Sequence, residues 1–122
     1  MAAYCVVNLK EVENQGVNFG FEEDVLQLRM ARVPLECSDC GISYERLGPK
    51  YRLPFGHRHK RQEEIYILVG GSGRMKIEDE VVELQPWTAV RVPHETMRGL
   101  EAGPDGAELI VVGAPNTGPG DA

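Results

Sequence analysis

The sequence predicts an all-β fold, a sandwich or barrel of short antiparallel strands. Three observations point there. Short apolar runs recur with a strand-plus-turn spacing of about 8–12 residues. Fourteen glycines and eight prolines are spread along the chain and punctuate those runs. Within several runs apolar and polar residues alternate, the period of a half-buried strand.

The elements follow in order. Val6 to Leu9 is the first candidate strand. Glu22-Glu23-Asp24 ahead of Val25 to Val33 has two readings: acids favour a helix start, whereas Leu26, Leu28 and Met30 alternate as in a strand. Strand is the better match. Gly41 to Leu47 alternates and meets a Gly48-Pro49 turn. Ile65 to Val69 is a β-branched and aromatic run ending at Gly70-Gly71-Ser72-Gly73. Met75 to Glu78 alternates, and Asp79-Glu80 turns the chain into Val81 to Leu84. Ala89 to Val92 lies between Pro86 and Pro93, and Glu108 to Val112 is the last strand. One domain over residues 1–113 is expected, followed by a flexible tail over 114–122 that cannot bury a core.

Composition removes several functions. A 122-residue chain with 42% apolar and 26% charged residues is globular rather than disordered. A net charge of -6 disfavours nucleic acid and anionic membranes, which need a basic face. No apolar stretch is long enough to span a bilayer, and no secretory signal opens the chain, so a reducing cytoplasm is expected. Cys37-Ser38-Asp39-Cys40 has CxxC spacing but lacks a second ligand pair for zinc and a βαβ setting for thioredoxin-type chemistry, so these thiols read as incidental. There is no phosphate loop and no GxSxG elbow, and Ser72 has no evident base.

The informative stretch is Gly56-His57-Arg58-His59-Lys60-Arg61-Gln62-Glu63-Glu64-Ile65-Tyr66. In an extended chain, i and i+2 share a face, so His57 and His59 can aim two imidazoles at one point. Imidazoles bind first-row transition metals, and a carboxylate adds neutralising charge. Glu64 shares parity with Tyr66 and Leu68, opposite Glu63, Ile65 and Ile67. A chain reversal after the histidines would return one of these acids to them. A polar surface turn is the competing reading. On an earlier strand Tyr44 and Arg46 share one parity and are candidates for the interior.

This stretch resembles the first motif of the cupins: His57-Arg58-His59, four residues, Glu64, six residues, Gly71. Leu84 to Arg98 follows the outline of the second motif, and the likeness spans roughly residues 40–113. It implies a double-stranded β-helix, the cupin jelly-roll barrel. It also implies a divalent transition metal (iron, manganese, nickel or zinc) held by His57, His59 and Glu64, and a homodimer, which exposed strand edges would also invite. The second motif departs from the pattern. Trp87 and Glu95 replace glycines, and Arg98 stands where the family places its last histidine ligand. Guanidinium has no lone pair to donate. His94 is a substitute ligand four residues early, and Trp87 is expected at the barrel end or in a subunit contact.

Arg98 therefore has three readings: a buried bidentate pair with Glu64, a fork that clamps a ligand's carboxylate or phosphate, or a neighbour of a retained three-ligand metal. Three functions correspond. The leading expectation is a barrel that binds a small organic ligand, neutral or anionic, through Arg98, His57, His59 and Tyr66, with its metal site weakened or lost. The alternatives are a metal-dependent, dioxygenase-like enzyme using His57, His59 and Glu64, and a metal-free isomerase-type enzyme.

Overall fold

In the computed structural model, which describes residues 3–53 and 56–116, six strands form an antiparallel arrangement. They are β1 (Leu26–Met30), β2 (Gly41–Leu47), β3 (Glu63–Ile77), β4 (Glu80–Leu84), β5 (Ala89–Val92) and β6 (Arg98–Ala114). Strand order is β1-β2-β6-β3-β4, with β5 on the free side of the first part of β3.

Two long strands organise the barrel. The first part of β3 pairs with β5 and with the end of β6, while its last part pairs with β4 and with the start of β6. Between the halves the β3–β6 register shifts twice, at Leu68/Gly70 and Gly71/Gly73. Such bulges let one strand pass from one sheet to another. Gly71 sits at φ +73°, and a Cβ there would meet the Gly106 carbonyl at 2.1 Å. Gly70-Gly71-Ser72-Gly73 is thus a bend inside one continuous strand, where a turn between two strands was expected. In the same way, the predicted Glu108–Val112 strand is the end of the 17-residue β6.

The core lies between the halves. Leu26, Leu47, Leu68, Met75, Val92, Leu100 and Leu109 are buried together. At roughly 1.5–3 kcal/mol for each buried large apolar side chain, this cluster is the main stabilising term. Arg52 and His57 each form an isolated antiparallel bridge to the start of β6, Arg52↔Glu101 and His57↔Arg98. The second bridge sets the first histidine beside Arg98.

The N-terminal prediction needs correction. Val6–Leu9 forms no strand; Leu9–Glu11 is a 3₁₀ turn. The Asn8 side chain accepts the Lys10 N–H at 2.9 Å, a local capture that competes with strand pairing. Further on, Asn14 accepts N–H groups from Gly16 and Leu28, which fastens this segment to β1. The ambiguous segment after Asp24 is strand, β1. Ala114 is the last residue of β6, so the strand enters the expected tail by one residue. Residues 117–122 of that tail lie outside the described residues.

The N-terminal segment also decides which way β2 faces. Lys10 lies over the Tyr44 ring at 5.5 Å and pairs with Glu108 at 3.6 Å. The Tyr44 hydroxyl donates to Glu108 Oε1. Burial and that hydrogen bond push the Tyr44 hydroxyl up to about 12. Tyr44 and the exposed Arg46 line an outer groove with Lys10, Gln27 and Arg29, so they are not interior residues as their parity suggested. Tyr44→Phe is expected to cost about 1–2 kcal/mol in urea unfolding, with any response of the interior site to ligands unchanged. A changed ligand response would mean that this outer face communicates with the interior.

Candidate functional site

The site forms where three segments meet inside the barrel. The His57 N–H donates to the Arg98 carbonyl and the Arg98 N–H to the His57 carbonyl, both at 2.9 Å. The His59 N–H donates to the His94 carbonyl at 2.8 Å. These bonds align the extended His57–His59 stretch with the start of β6, so both imidazoles project inward. The chain then reverses into β3, where Glu64, Tyr66 and Leu68 point inward as their parity predicts.

Four side chains converge on one oxygen, Glu64 Oε1. His59 Nε2 lies 3.1 Å from it and His57 Nε2 3.6 Å. The Tyr66 hydroxyl donates to it at 2.7 Å and Arg98 Nη1 at 3.0 Å. Gln62 Nε2 donates to Oε2 at 3.2 Å. Burial alone would raise the Glu64 pKa, but the contacts from His57 and Tyr66 and the imidazole charges outweigh it. The carboxyl is held below its ordinary value. Tyr66 is affected in the opposite sense: burial and the facing Glu64 charge push its hydroxyl well above the usual value.

Arg98 has 1% exposure, the most deeply placed charged side chain among the described residues. Nη1 meets Glu64, and Nη2 donates to the Pro93 carbonyl at 2.7 Å. The ion pair is thus single-pronged, not the bidentate fork foreseen, because Pro93 takes the second nitrogen. Nε is buried without a hydrogen-bond partner among the described residues. With both terminal nitrogens engaged, Arg98 offers no fork to a ligand's carboxylate or phosphate in this conformation.

His94, the substitute ligand weighed above, turns away: it pairs with Glu95 at 2.9 Å and is half exposed. Trp87 is 75% exposed, so it does not pack at the barrel end of its own chain. Its φ of 72° is the left-handed conformation that glycine adopts freely.

One interior residue was missed. Glu45 lies in β2 between Tyr44 and Arg46, on the opposite parity, paired in register with Leu28 of β1 and Leu109 of β6. Its carboxyl is pushed up to about 7, first by burial and then by the charge of Glu64; Ser43 and His57 pull it back in part. An acid flanked by serine and leucine on the inward parity was the available signal. Reading the strand from its aromatic residue concealed it.

Could these residues hold a metal? The donor atoms of His57, His59 and Glu64 lie within 4.8 Å of one another. Tetrahedral coordination at about 2.0–2.1 Å sets donors roughly 3.3 Å apart, and the 3.1 and 3.6 Å separations bracket that value. The three side chains could hold a divalent transition metal. Arg98 is the feature that opposes it. A groove of about 880 Å³ lined by Arg52, Arg74, Lys76, Val81 and Glu101 lies on the outward face of the β3–β4–β6 half; it includes Arg98 but neither histidine nor Glu64.

No protein-family model and no curated protein sequence matches the chain. Solved structures do. A cupin protein from Bacteroides fragilis superimposes with a TM-score of 0.74 at 21% identity, over 100% of this chain and 92% of that one. KdgF from a Halomonas species gives 0.73 at 21% identity, over 95% and 96%. An RmlC-like cupin protein from Desulfovibrio desulfuricans gives 0.68 at 20% identity, over 90% and 95%. The chain has the cupin fold, an all-β double-stranded β-helix. No helix among the described residues is long and apolar enough to cross a membrane.

Proposed function

We propose that this chain is a small-molecule-binding cupin barrel in which Arg98 has taken over the positive charge that a metal would otherwise supply. The observation that carries this reading is the 3.0 Å contact between Arg98 Nη1 and Glu64 Oε1 at a position with 1% exposure. Glu64 is the only anionic donor of the three, and Arg98 already neutralises it.

The size of the effect supports weak metal affinity. Two unit charges about 4 Å apart repel by roughly 4 kcal/mol at an effective dielectric near 20, and a divalent ion about doubles that gross figure. Glu64 offsets part of it for either cation, but a single carboxylate cannot fully serve both. The interior then presents two imidazoles, the Tyr66 hydroxyl, the Gln62 amide and the Glu45 carboxyl around a neutralised pair. Such a mixture of donors and acceptors suits a small hydroxyl-bearing organic ligand better than a free anion, which would meet two carboxyl groups.

A metal-dependent reading keeps one observation in its favour, the donor spacing of His57, His59 and Glu64. When bound there, iron, manganese, nickel or zinc would supply Lewis acidity or oxygen activation. Elemental analysis of protein purified without a metal-affinity tag separates the two readings. After incubation with each of these ions and desalting, retention well below one ion per chain is expected. Near-stoichiometric retention would overturn the proposal in favour of the metal-dependent enzyme. In parallel, a panel of small polyols, sugars and sugar acids is expected to raise the melting temperature of metal-free protein. A panel that leaves melting unchanged, in a protein that also binds metal, would reject the ligand-binding reading.

A further inference from the structure

The groove of about 880 Å³ on the outward face of the β3–β4–β6 half takes no part in the site around Glu64. Small-molecule pockets span roughly 300–1,000 Å³, and this groove falls within that range. Gly99 opens it. At the start of β6, Arg98, Leu100 and Ala102 are buried, so Gly99 and Glu101 take the outward parity. In register, Gly99 faces Lys76 of β3 and Glu101 faces Arg74, while Val81 of β4 flanks Lys76. A side chain at position 99 would cover this part of the sheet. Its absence leaves a hollow, with Arg52, Glu101 and Arg74 across one end and Met97 at the other.

Nothing in the backbone requires glycine at 99. Its φ lies outside the left-handed region, unlike that of Gly71 or Gly106. No bulge falls there either, since the β3–β6 register shifts lie between Leu68 and Gly73. Every other glycine of β3 and β6 has an atom within 2.8 Å of where a Cβ would stand. At Gly99 the nearest described atom, Gly56 Cα, is 3.9 Å away, an ordinary van der Waals contact. A β-branched residue would favour the strand, whereas glycine weakens it. With turn and bulge excluded, the remaining use of a glycine inside a strand is to let another group approach closely.

Charge identifies that group. Arg74 Nε meets Glu101 Oε1 at 2.6 Å, so these two neutralise each other. Glu78 Oε1 accepts the Met97 N–H at 3.0 Å. Arg52 and Lys76 are exposed, and among the described residues neither side chain has a hydrogen bond or an ion pair. Two uncompensated cations thus line the hollow in a chain whose net charge is -6. Beside them the exposed Val81 and Met97 supply an apolar lining.

We propose that this groove is a second binding site, for an organic carboxylate with a short apolar body. Arg52 and Lys76 hold the carboxylate, and the body lies over Gly99 against Val81 and Met97. An inorganic anion would leave the apolar lining in water, and a neutral hydrocarbon would cover two cations without pairing them. The barrel interior differs in kind, because its two carboxyl groups, Glu45 and Glu64, disfavour an anion.

The test titrates the full chain with octanoate and follows backbone amides by heteronuclear NMR. Saturable shifts centred on Arg52, Lys76, Gly99 and Glu101 are expected, with the interior amides of Glu45 and Tyr66 unmoved. Acetate lacks the apolar body and octanol lacks the charge, so each should bind at least about fivefold more weakly. Gly99→Val should keep the fold, raise the melting temperature and abolish the octanoate shifts by filling the hollow. The Arg52→Met/Lys76→Met double variant should weaken octanoate binding at least about fivefold. Absent or unsaturable shifts, shifts centred on Glu45 and Tyr66, or equal binding of octanol would each overturn the proposal. So would undiminished binding by folded Gly99→Val protein. Should Gly99→Val fail to fold, the double variant decides, and undiminished affinity there overturns the proposal as well. None of these outcomes depends on what occupies the barrel interior.

Discussion

Replacing Arg98 with alanine is expected to destabilise the protein by about 3–5 kcal/mol, the usual cost of removing one partner from a buried ion pair. The cost arises mainly at Glu64. Its side chain is 12% exposed, and without Arg98 its charge would face only two imidazoles, a hydroxyl and an amide. Arg98→Met keeps most of the side-chain volume and separates the charge loss from the cavity. In the Glu64→Gln/Arg98→Met double variant neither charge remains, so the total loss should fall short of the two single losses added. A coupling of about 0.5–3 kcal/mol, read from urea midpoints at unchanged slope, is expected for residues in direct contact. Additive losses would show that the pair contributes nothing as a pair. Arg98→His asks the complementary question. It removes the competing charge and adds a donor, so affinity for manganese, iron, nickel or zinc should rise at least about tenfold, equivalent to roughly 1.4 kcal/mol. That is a small share of the gross repulsion. Unchanged affinity in a folded Arg98→His protein would place Arg98 outside the coordination sphere and remove the premise of the proposed function.

The parts legible in the sequence share one property: their pattern reports on one neighbour only. Alternation over Gly41–Leu47 and Ala89–Val92 marks β2 and β5 at their observed limits because each is a short strand bounded by loops. The inward run Glu64, Tyr66, Leu68 follows from parity once His57 and His59 define the interior. Other features depend on partners that no local window contains. β3 passes unbroken through four residues that look like a turn, because Gly71 and Gly106 approach closely enough to exclude a side chain. The N-terminal segment buries Tyr44 on the outer face of β2, which reverses the usual assignment of an aromatic residue to the interior and sends Glu45 inward. The single-pronged geometry of Arg98 depends on the Pro93 carbonyl, a backbone acceptor whose position no side-chain pattern encodes.

Glu45 leads to the second large effect, on how stability depends on pH. In the folded chain its carboxyl titrates at about 7 against an ordinary 4.5. The groups facing it are few: Glu64 and Tyr66 from β3 and His57 from the preceding stretch are the charged or titratable ones, Ser43 donates a hydrogen bond at 3.2 Å, and its register partners Leu28 and Leu109 are apolar. Because the folded state holds this proton more tightly than the unfolded chain, ionisation favours unfolding. Stability should fall as pH rises from about 4.5 to about 7 and then stay level, by at most roughly 3 kcal/mol. Glu64 acts in a different window. Its depressed folded pKa contributes stability that is present above the ordinary carboxylate value and lost only as pH falls below it. The two acids together therefore place the stability maximum near about pH 4.5–5. Glu45→Gln removes the upper limb alone. The variant should match the wild type at about pH 4.5 and exceed it by about 2–3 kcal/mol at about pH 8, since no buried charge then forms. Melting curves for the two proteins that run parallel across this range would mean that Glu45 ionises freely, and that the interior of this barrel is wetter than its packing indicates.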